Sequence, residues 1–327
     1  MACYRPNTGY KVLNKTTGKI EIVFGRNKIT NDMTLLDEVE LPCGKCQGCR
    51  LAKSAEWAMR CQLESSYYTD NYFLTLTYDD AHLPIRDHVS LDKSTGEVLT
   101  ETENAVLVPD HMTKFLKDLR RYYEYHYNHT GIRYFLAGEY GDKTLRPHYH
   151  MIVFNLPIYD LKLYKESFSG NNLYNSVILN HIWGKGYVAI GNVTYESCAY
   201  VARYTTKKIG INKDDYLAKG LEPEFVRMSR RPGIGYQYFK DNEDKIKKND
   251  NIILKRGDKA VAFKPSRYFD THFRDEDEQY QAKMKRMRAA VLSERIEMLG
   301  TDLDRFEYLK IKEQAKDREF KSVRRDI

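Results

Sequence analysis

The chain has 327 residues, with 53 Lys and Arg against 46 Asp and Glu, a net charge of +7 with His counted neutral. At 42% hydrophobic and 30% charged residues it can bury a sizeable core as one large domain or two ordinary ones, which excludes wholesale disorder and collagen-like architecture. No run approaches the roughly 18 to 20 uninterrupted apolar residues of a membrane span, and Met1 to Lys15 lacks the apolar centre of a signal peptide, so no membrane is expected and the protein should stay where it is made.

Residues 1–50 are rich in Gly, Lys and Thr, with one short apolar run at Ile20 to Phe24, as expected of a small irregular or β-hairpin module closed by Cys43-Gly-Lys-Cys46-Gln-Gly-Cys49. A helix is expected from Leu51 to about Ser65, then a strand over the aromatic and β-branched run Tyr72 to Tyr78. Ala81 to Val108 is polar and reads as an inserted loop or hairpin. Pro109-Asp110 opens a helix whose Met112, Phe115, Leu116, Leu119, Tyr122 and Tyr123 recur at spacings of three and four, ended by Gly131. Ile132 to Glu139 and His148 to Phe154 read as strands joined by a turn. A helix is expected around Tyr174 to Trp183, a fourth strand over Tyr187 to Val193, and a helix over roughly Ser197 to Lys208.

This order of strand, helix, strand, strand, helix, strand predicts an α+β core: a ferredoxin-like or RRM-like antiparallel sheet with helices on one face. Around it the sequence divides into a Cys-rich module with its helix (1–66), a central domain (67–240) and a charged, mainly helical extension (241–327), where apolar residues from Leu292 to Leu309 mark one helix or two split at Gly300-Thr301. Ser229-Arg-Arg-Pro-Gly-Ile-Gly-Tyr236 is a basic turn that could meet phosphate or be an ordinary loop.

Arg146-Pro-His148-Tyr-His150 heads an apolar strand, and alternation puts both imidazoles on one face about 7 Å apart, where they can share one divalent cation. Glu139 ends the neighbouring strand and could complete a His/His/Glu set with open coordination positions, or else pair with Lys143 or Arg146. Tyr200-Val-Ala-Arg-Tyr204-Thr-Thr-Lys207-Lys208 stacks two phenols at i, i+4 on one helix. Core packing is the default for such pairs in a chain with 26 Tyr; a facing metal would make them nucleophiles that form a 5′-phosphotyrosine and release a 3′-hydroxyl. The six Cys are too few for a disulfide scaffold. Cys43, Cys46 and Cys49 offer three thiolates, and a structural Zn²⁺ would take a fourth from Cys3 or Cys61, with Cys3 favoured; reduced free thiols are the alternative.

Thr75-Leu-Thr77 on a strand, Glu139 followed by Arg146-Pro-His148-Tyr-His150-Met-Ile-Val-Phe154, and Tyr200-Val-Ala-Arg-Tyr204 with Lys207-Lys208 resemble the three motifs of HUH endonucleases that initiate rolling-circle replication. The two-Tyr version, with the Cys cluster and the basic turn, is similar to the initiators of small single-stranded DNA phages of the gokushovirus branch of the Microviridae. The resemblance covers about Cys3 to Tyr236 and implies a Mg²⁺- or Mn²⁺-dependent nicking and strand-transfer enzyme. It makes His148 and His150 metal ligands with Glu139 as third, Tyr200 and Tyr204 nucleophiles, and Lys207 or Lys208 a phosphate-neutralising partner. Thr75 and Thr77 fall in the first motif, with a role in DNA contact or support. The substrate would be the viral origin in single-stranded and replicative-form DNA, in the cytoplasm of a bacterial host. The chain carries no G-x-x-x-x-G-K-[ST] motif, so host helicase and polymerase are implied partners. The rival reading is a non-catalytic RRM-like module that binds single-stranded nucleic acid.

Overall fold

The computed structural model describes residues 3–92, 94–141, 144–166, 172–207, 213–256, 259–273, 278–297, 300 and 303–323. In chain order the strands and helices are β1 (Asn7–Asn14), β2 (Ile20–Val23), β3 (Met33–Leu41), α1 (Gln47–Ser65), β4 (Asn71–Tyr78), β5 (Ile85–Leu91), β6 (Val98–Ala105), α2 (Pro109–Tyr127), β7 (Arg133–Tyr140), β8 (Pro147–Phe154), β9 (Lys162–Glu166), β10 (Asn172–Asn175), α3 (Val177–Trp183), β11 (Gly186–Asn192), α4 (Tyr195–Lys207), α5 (Lys213–Leu217), β12 (Phe225–Met228), α6 (Tyr236–Asn249), β13 (Ile252–Arg256), β14 (Lys259–Phe263), α7 (Arg267–His272), α8 (Glu278–Glu297) and α9 (Arg305–Val323). Two compact units result, Met1–Lys53 with Ser293–Ile327, and Ser54–Leu292. Among the described residues no helix is long and apolar enough to cross a membrane.

In the first unit β1 lies between β2 and β3 in an antiparallel sheet, with a bulge between Lys11 and Val12. Helix α9 buries Leu309, and ion pairs Arg5–Glu313 and Arg305–Glu40 fasten it within that unit.

The second unit is built on a seven-stranded sheet in the order β12-β7-β8-β4-β11-β10-β9, every neighbour antiparallel. Leu74, Leu76, Leu136, Tyr149, Met151, Val153 and Val188 point to one face, where Met112, Phe115 and Leu119 of α2 and Leu179 and Trp183 of α3 close the core. The intervening positions Phe135, Ala137, Ile152 and Phe154 point the other way, against Ala58 and Cys61 of α1 and Cys198 and Val201 of α4. The α+β class matches expectation, but helices cover both faces rather than one. The physical reason is visible in β8, which reads apolar on both of its faces and so needs cover on both.

Several local differences have causes. Helix α1 begins at Gln47, four residues before Leu51, because the Cys loop runs straight into it. Tyr174 belongs to β10 and not to a helix: Ser176 caps α3, accepting from Leu179 N at 3.0 Å and donating to Asp160 Oδ1 at 2.6 Å. Residues 81–108 contain the hairpin β5–β6. A third core, of Met59, Leu63, Phe239, Ile246, Phe269, Phe273 and Met284, joins α1 to the elements after β12. Arg60 lies between the rings of Trp57 and Tyr268, at 4.2 and 4.0 Å, and donates to Ile234 O.

Candidate metal centre and tyrosine helix

Strand pairing assembles the site. Glu139 near the end of β7 sits opposite His148 in β8, and His150 lies between Ala137 on one side and Thr75 of β4 on the other. The Glu139, His148, His150 and Thr75 side chains all project to the α4 face. Glu139 Oε1 accepts from His148 Nε2 at 2.8 Å and lies 2.9 Å from His150 Nε2, and the donor atoms of the three residues fall within 4.8 Å of one another. Glu139 and His150 are buried and His148 is 20% exposed, so the cluster has one solvent-facing side.

Each imidazole is oriented through its other nitrogen. His148 Nδ1 lies 3.1 Å from Arg146 O, and His150 Nδ1 lies 3.0 Å from Thr75 Oγ1. Nδ1–H donation to these oxygens leaves both Nε2 atoms as the ligating positions, the arrangement that fixes tautomers at metal sites. Burial pushes the Glu139 carboxyl up, but hydrogen bonds from the two imidazoles outweigh it and hold it below the ordinary carboxylate value. Burial pushes both imidazoles down; at His148 the Glu139 contact prevails and the net direction is up, while at the more enclosed His150 burial prevails. Arg146 does not engage Glu139: it pairs with Asp80 at 2.7 Å and donates to Tyr78 O. Lys143 lies outside the described residues.

The donor set fits a divalent cation. Donors about 2.1 Å from one ion and at right angles are about 3 Å apart, close to the 2.8 and 2.9 Å between Glu139 Oε1 and the imidazole nitrogens. Two imidazoles and one carboxylate leave further coordination positions open.

Helix α4 brings Tyr200 to this cluster. Cys198, Val201 and Ala202 are buried, while Tyr200 is 39% exposed at the margin. Its ring meets His150 edge-on with centroids 5.2 Å apart. Phe73 stacks on His150 at 5.6 Å and meets the Tyr200 ring edge-on at 6.0 Å. Tyr204 and Lys207 lie on the same helix, but their side chains, and all of Lys208, lie outside what the structure describes. Thr77, opposite His148, donates to Tyr187 O at 3.4 Å. The orienting contact of Thr75 and the stacking of Phe73 are invisible to motif reading, because they depend on the register of β4 against β8. Tyr187, opposite Thr77 and 69% exposed, extends the row Glu139, His148, Thr77 across the open sheet face.

In the first unit Cys3 joins Cys43, Cys46 and Cys49, all four Sγ atoms lying within 4.8 Å. Cys61 is elsewhere, fully buried beside Cys198. Backbone N–H groups of Tyr4 and Cys49 donate to Cys46 Sγ, those of Lys45 and Cys46 to Cys43 Sγ, and that of Cys43 to Cys3 Sγ. Burial pushes the Cys46 thiol up, but the Cys49 and Tyr4 amides outweigh it and pull it down to about 7. Burial and the neighbouring Cys3 and Cys46 sulfurs drive Cys49 upward. A tetrahedron with metal–sulfur bonds of about 2.3 Å has edges of about 3.8 Å, the separation of Cys3 Sγ and Cys46 Sγ.

Fold and site together define an α+β protein with a histidine–carboxylate centre beside a tyrosine-bearing helix. Residues 71–209 match the family model of replication-associated proteins of the ORF2 type. The chain is 39% identical to replication-associated protein ORF2 of Spiroplasma virus 4, over 89% of this chain and 87% of that protein. It is 30% identical to replication-associated protein VP4 of Bdellovibrio phage phiMH2K, over 87% and 82%, and 32% identical to replication-associated protein ORF4 of Chlamydia phage 1, over 65% and 49%. This chain belongs to that family of phage replication-associated proteins. No solved structure matches it.

Proposed function

We propose that the protein initiates rolling-circle replication by nicking one strand of phage origin DNA and later rejoining it. The observation that carries the reading is the convergence of Glu139, His148 and His150 with the Tyr200 ring against His150. The strand order β11-β4-β8-β7 with α2 and α3 supports the ferredoxin-like nicking fold of the HUH endonucleases, within a domain of residues 67–240. Residues 1–66 would form the Cys-rich module and 241–327 the charged extension.

Glu139, His148 and His150 would hold Mg²⁺ or Mn²⁺, with Thr75 and the Arg146 carbonyl keeping the rings in the ligating tautomer. When bound, such a cation neutralises phosphate charge and polarises the phosphorus–oxygen bonds. The Tyr200 phenolic oxygen then bonds to phosphorus as the bond to the 3′ oxygen breaks, leaving a 5′-phosphotyrosine and, after protonation, a 3′-hydroxyl. Tyr204 would serve the second cleavage that releases the circle, and Lys207 or Lys208 would neutralise phosphate. A host polymerase would extend the 3′ end and a host helicase open the duplex. Cys3, Cys43, Cys46 and Cys49 would hold a structural Zn²⁺, a reading supported by the tetrahedral edge and the amide-to-sulfur bonds.

The test is incubation with single-stranded origin DNA and Mn²⁺ followed by denaturing electrophoresis. A covalent protein–DNA adduct, abolished by Tyr200→Phe with Tyr204→Phe, is expected. Cleavage without an adduct and unaffected by the double change would indicate attack by water; binding without cleavage would indicate a non-catalytic module.

A further inference from the structure

Beyond the nicking centre, the second unit carries a groove of about 900 Å³ at the far end of the same sheet. It is lined by Arg120, Arg133, Arg227, Arg230 and Arg231 with Tyr134 among its walls, and no acidic residue lines it among the described residues. Its floor is the start of β7 and its rim the turn after β12. The metal-type donors sit at the opposite ends of these strands, so the extended run from His148 along β8 to Asn155 separates the two places by about 23 Å.

The basic turn is rigidly supported. Ser229 N donates to Tyr134 O at 2.9 Å and Tyr134 N donates to Ser229 Oγ at 3.1 Å. Arg133 donates to the carbonyls of Pro232 and Gly233 and forms an ion pair with Glu64, whose other oxygen accepts from Gly235 N at 2.7 Å. Arg120 donates to Ile132 O and lies over the Tyr134 ring. Three of the five arginines therefore hold backbone or ring in place, since Arg227 also donates to Pro109 O and Thr113 Oγ1. Arg230 and Arg231 project from the braced turn as exposed cations. A fixed, concave, cation-lined surface without carboxylates is complementary to a chain of phosphates, and it would be costly to leave without counter-ions.

We infer that this groove grips the phosphate backbone of DNA about seven nucleotides from the phosphodiester positioned at the Glu139–His148–His150 centre, through Arg230 and Arg231. The inference rests on the nicking reading for its partner, and it assigns the groove to position DNA without reading base sequence.

The test measures equilibrium binding of metal-free full-length protein to fluorescent origin DNA, as a single strand and as a duplex, across about 50 to 200 mM salt. Each lost phosphate contact should lower the log–log salt slope by about 0.9 on duplex and about 0.7 on single-stranded DNA. Arg230→Gln with Arg231→Gln should thus flatten the slope by about 1.8 or about 1.4, according to which form occupies the groove, shrinking the affinity loss over that range by about 12-fold or about 7-fold. Arg230→Lys with Arg231→Lys, which keeps both charges, should retain most of the slope. An unchanged slope in the Gln pair on both DNA forms overturns the groove. Covalent capture by the wild-type protein is scored in parallel: capture with an unchanged slope defeats the groove alone, and a flattened slope without capture by any DNA defeats the nicking reading alone.

Discussion

The four cysteines of the first unit and the Glu139, His148 and His150 set of the second both gather their donor atoms within 4.8 Å, but from different materials. The thiols come largely from one seven-residue loop leading into α1, and five N–H···S contacts tie that loop and Tyr4 to the sulfurs. The imidazoles and carboxylate come from paired strands and are aimed by a carbonyl and by Thr75. Four sulfurs complete a tetrahedral shell and suit a structural role. Three N/O donors leave vertices for substrate and suit chemistry. Donor type and count, rather than the presence of a cluster, separate scaffold from reaction centre.

The sharpest way to break this contrast is Cys46→Ser. Structural zinc contributes an apparent ~10–16 kcal/mol in small thiolate sites, so the variant should lose its bound zinc by elemental analysis and open the first unit to limited proteolysis; unchanged zinc content would remove the thiolate site. At the other cluster, His148→Ala should lower Mn²⁺-dependent adduct formation by more than about 100-fold, since losses of second-shell partners alone cost about 10- to 100-fold, with the melting transition kept. Activity surviving at wild-type level would take His148 out of the centre. Thr75→Val removes the orienting oxygen and should weaken Mn²⁺ binding by about 10- to 100-fold in calorimetry; unchanged affinity would make Thr75 an ordinary sheet residue.

A smaller effect is expected from Gly138→Ala. A Cβ there would lie 2.7 Å from the Phe225 ring, on the face opposite Glu139. Overpacking of this kind costs about 1–3 kcal/mol, to be read from denaturant midpoints. The mildest probe is pH. Without metal, His148 gains a partner in the fold, so its contribution is full below its ordinary 6.5 and is lost as pH rises through its raised folded value. Glu139, held low, contributes above its ordinary 4.5 and loses that as pH falls. His150, held low by burial, has the opposite sign to His148 and favours the fold as pH rises towards 6.5. Cation binding must displace the His148 proton. The rise in melting temperature on adding Mn²⁺ should therefore grow as pH increases through the His148 transition; a pH-independent increment would argue against imidazole ligation.

Much of this was legible in the residues. The spacing of Met112, Phe115, Leu116, Leu119 and Tyr123 marked α2 because each of those positions is buried on one stripe. The strand containing His148 and His150 was readable because alternation sets the face of every side chain. What escaped depends on pairing between distant segments. The cover of α1 and α4 over the second sheet face was not foreseen, nor were the edge strand β12, with four half-buried residues, and the exposed strand β9. Neither edge strand has an alternating pattern to detect. Cys3 as fourth thiol was favoured and is found there; Thr75 had no local signal of its contact with His150.

Strand β9 closes one side of the seven-stranded sheet with Lys162-Leu-Tyr-Lys165-Glu166, every residue exposed. An unpaired strand border is a template on which another polypeptide can add itself. Two ammonium groups along this border make such addition electrostatically unfavourable for an identical molecule, because like charges would face one another across the new ladder. The sheet can thus end in open water while copies of the protein accumulate without zipping into fibres.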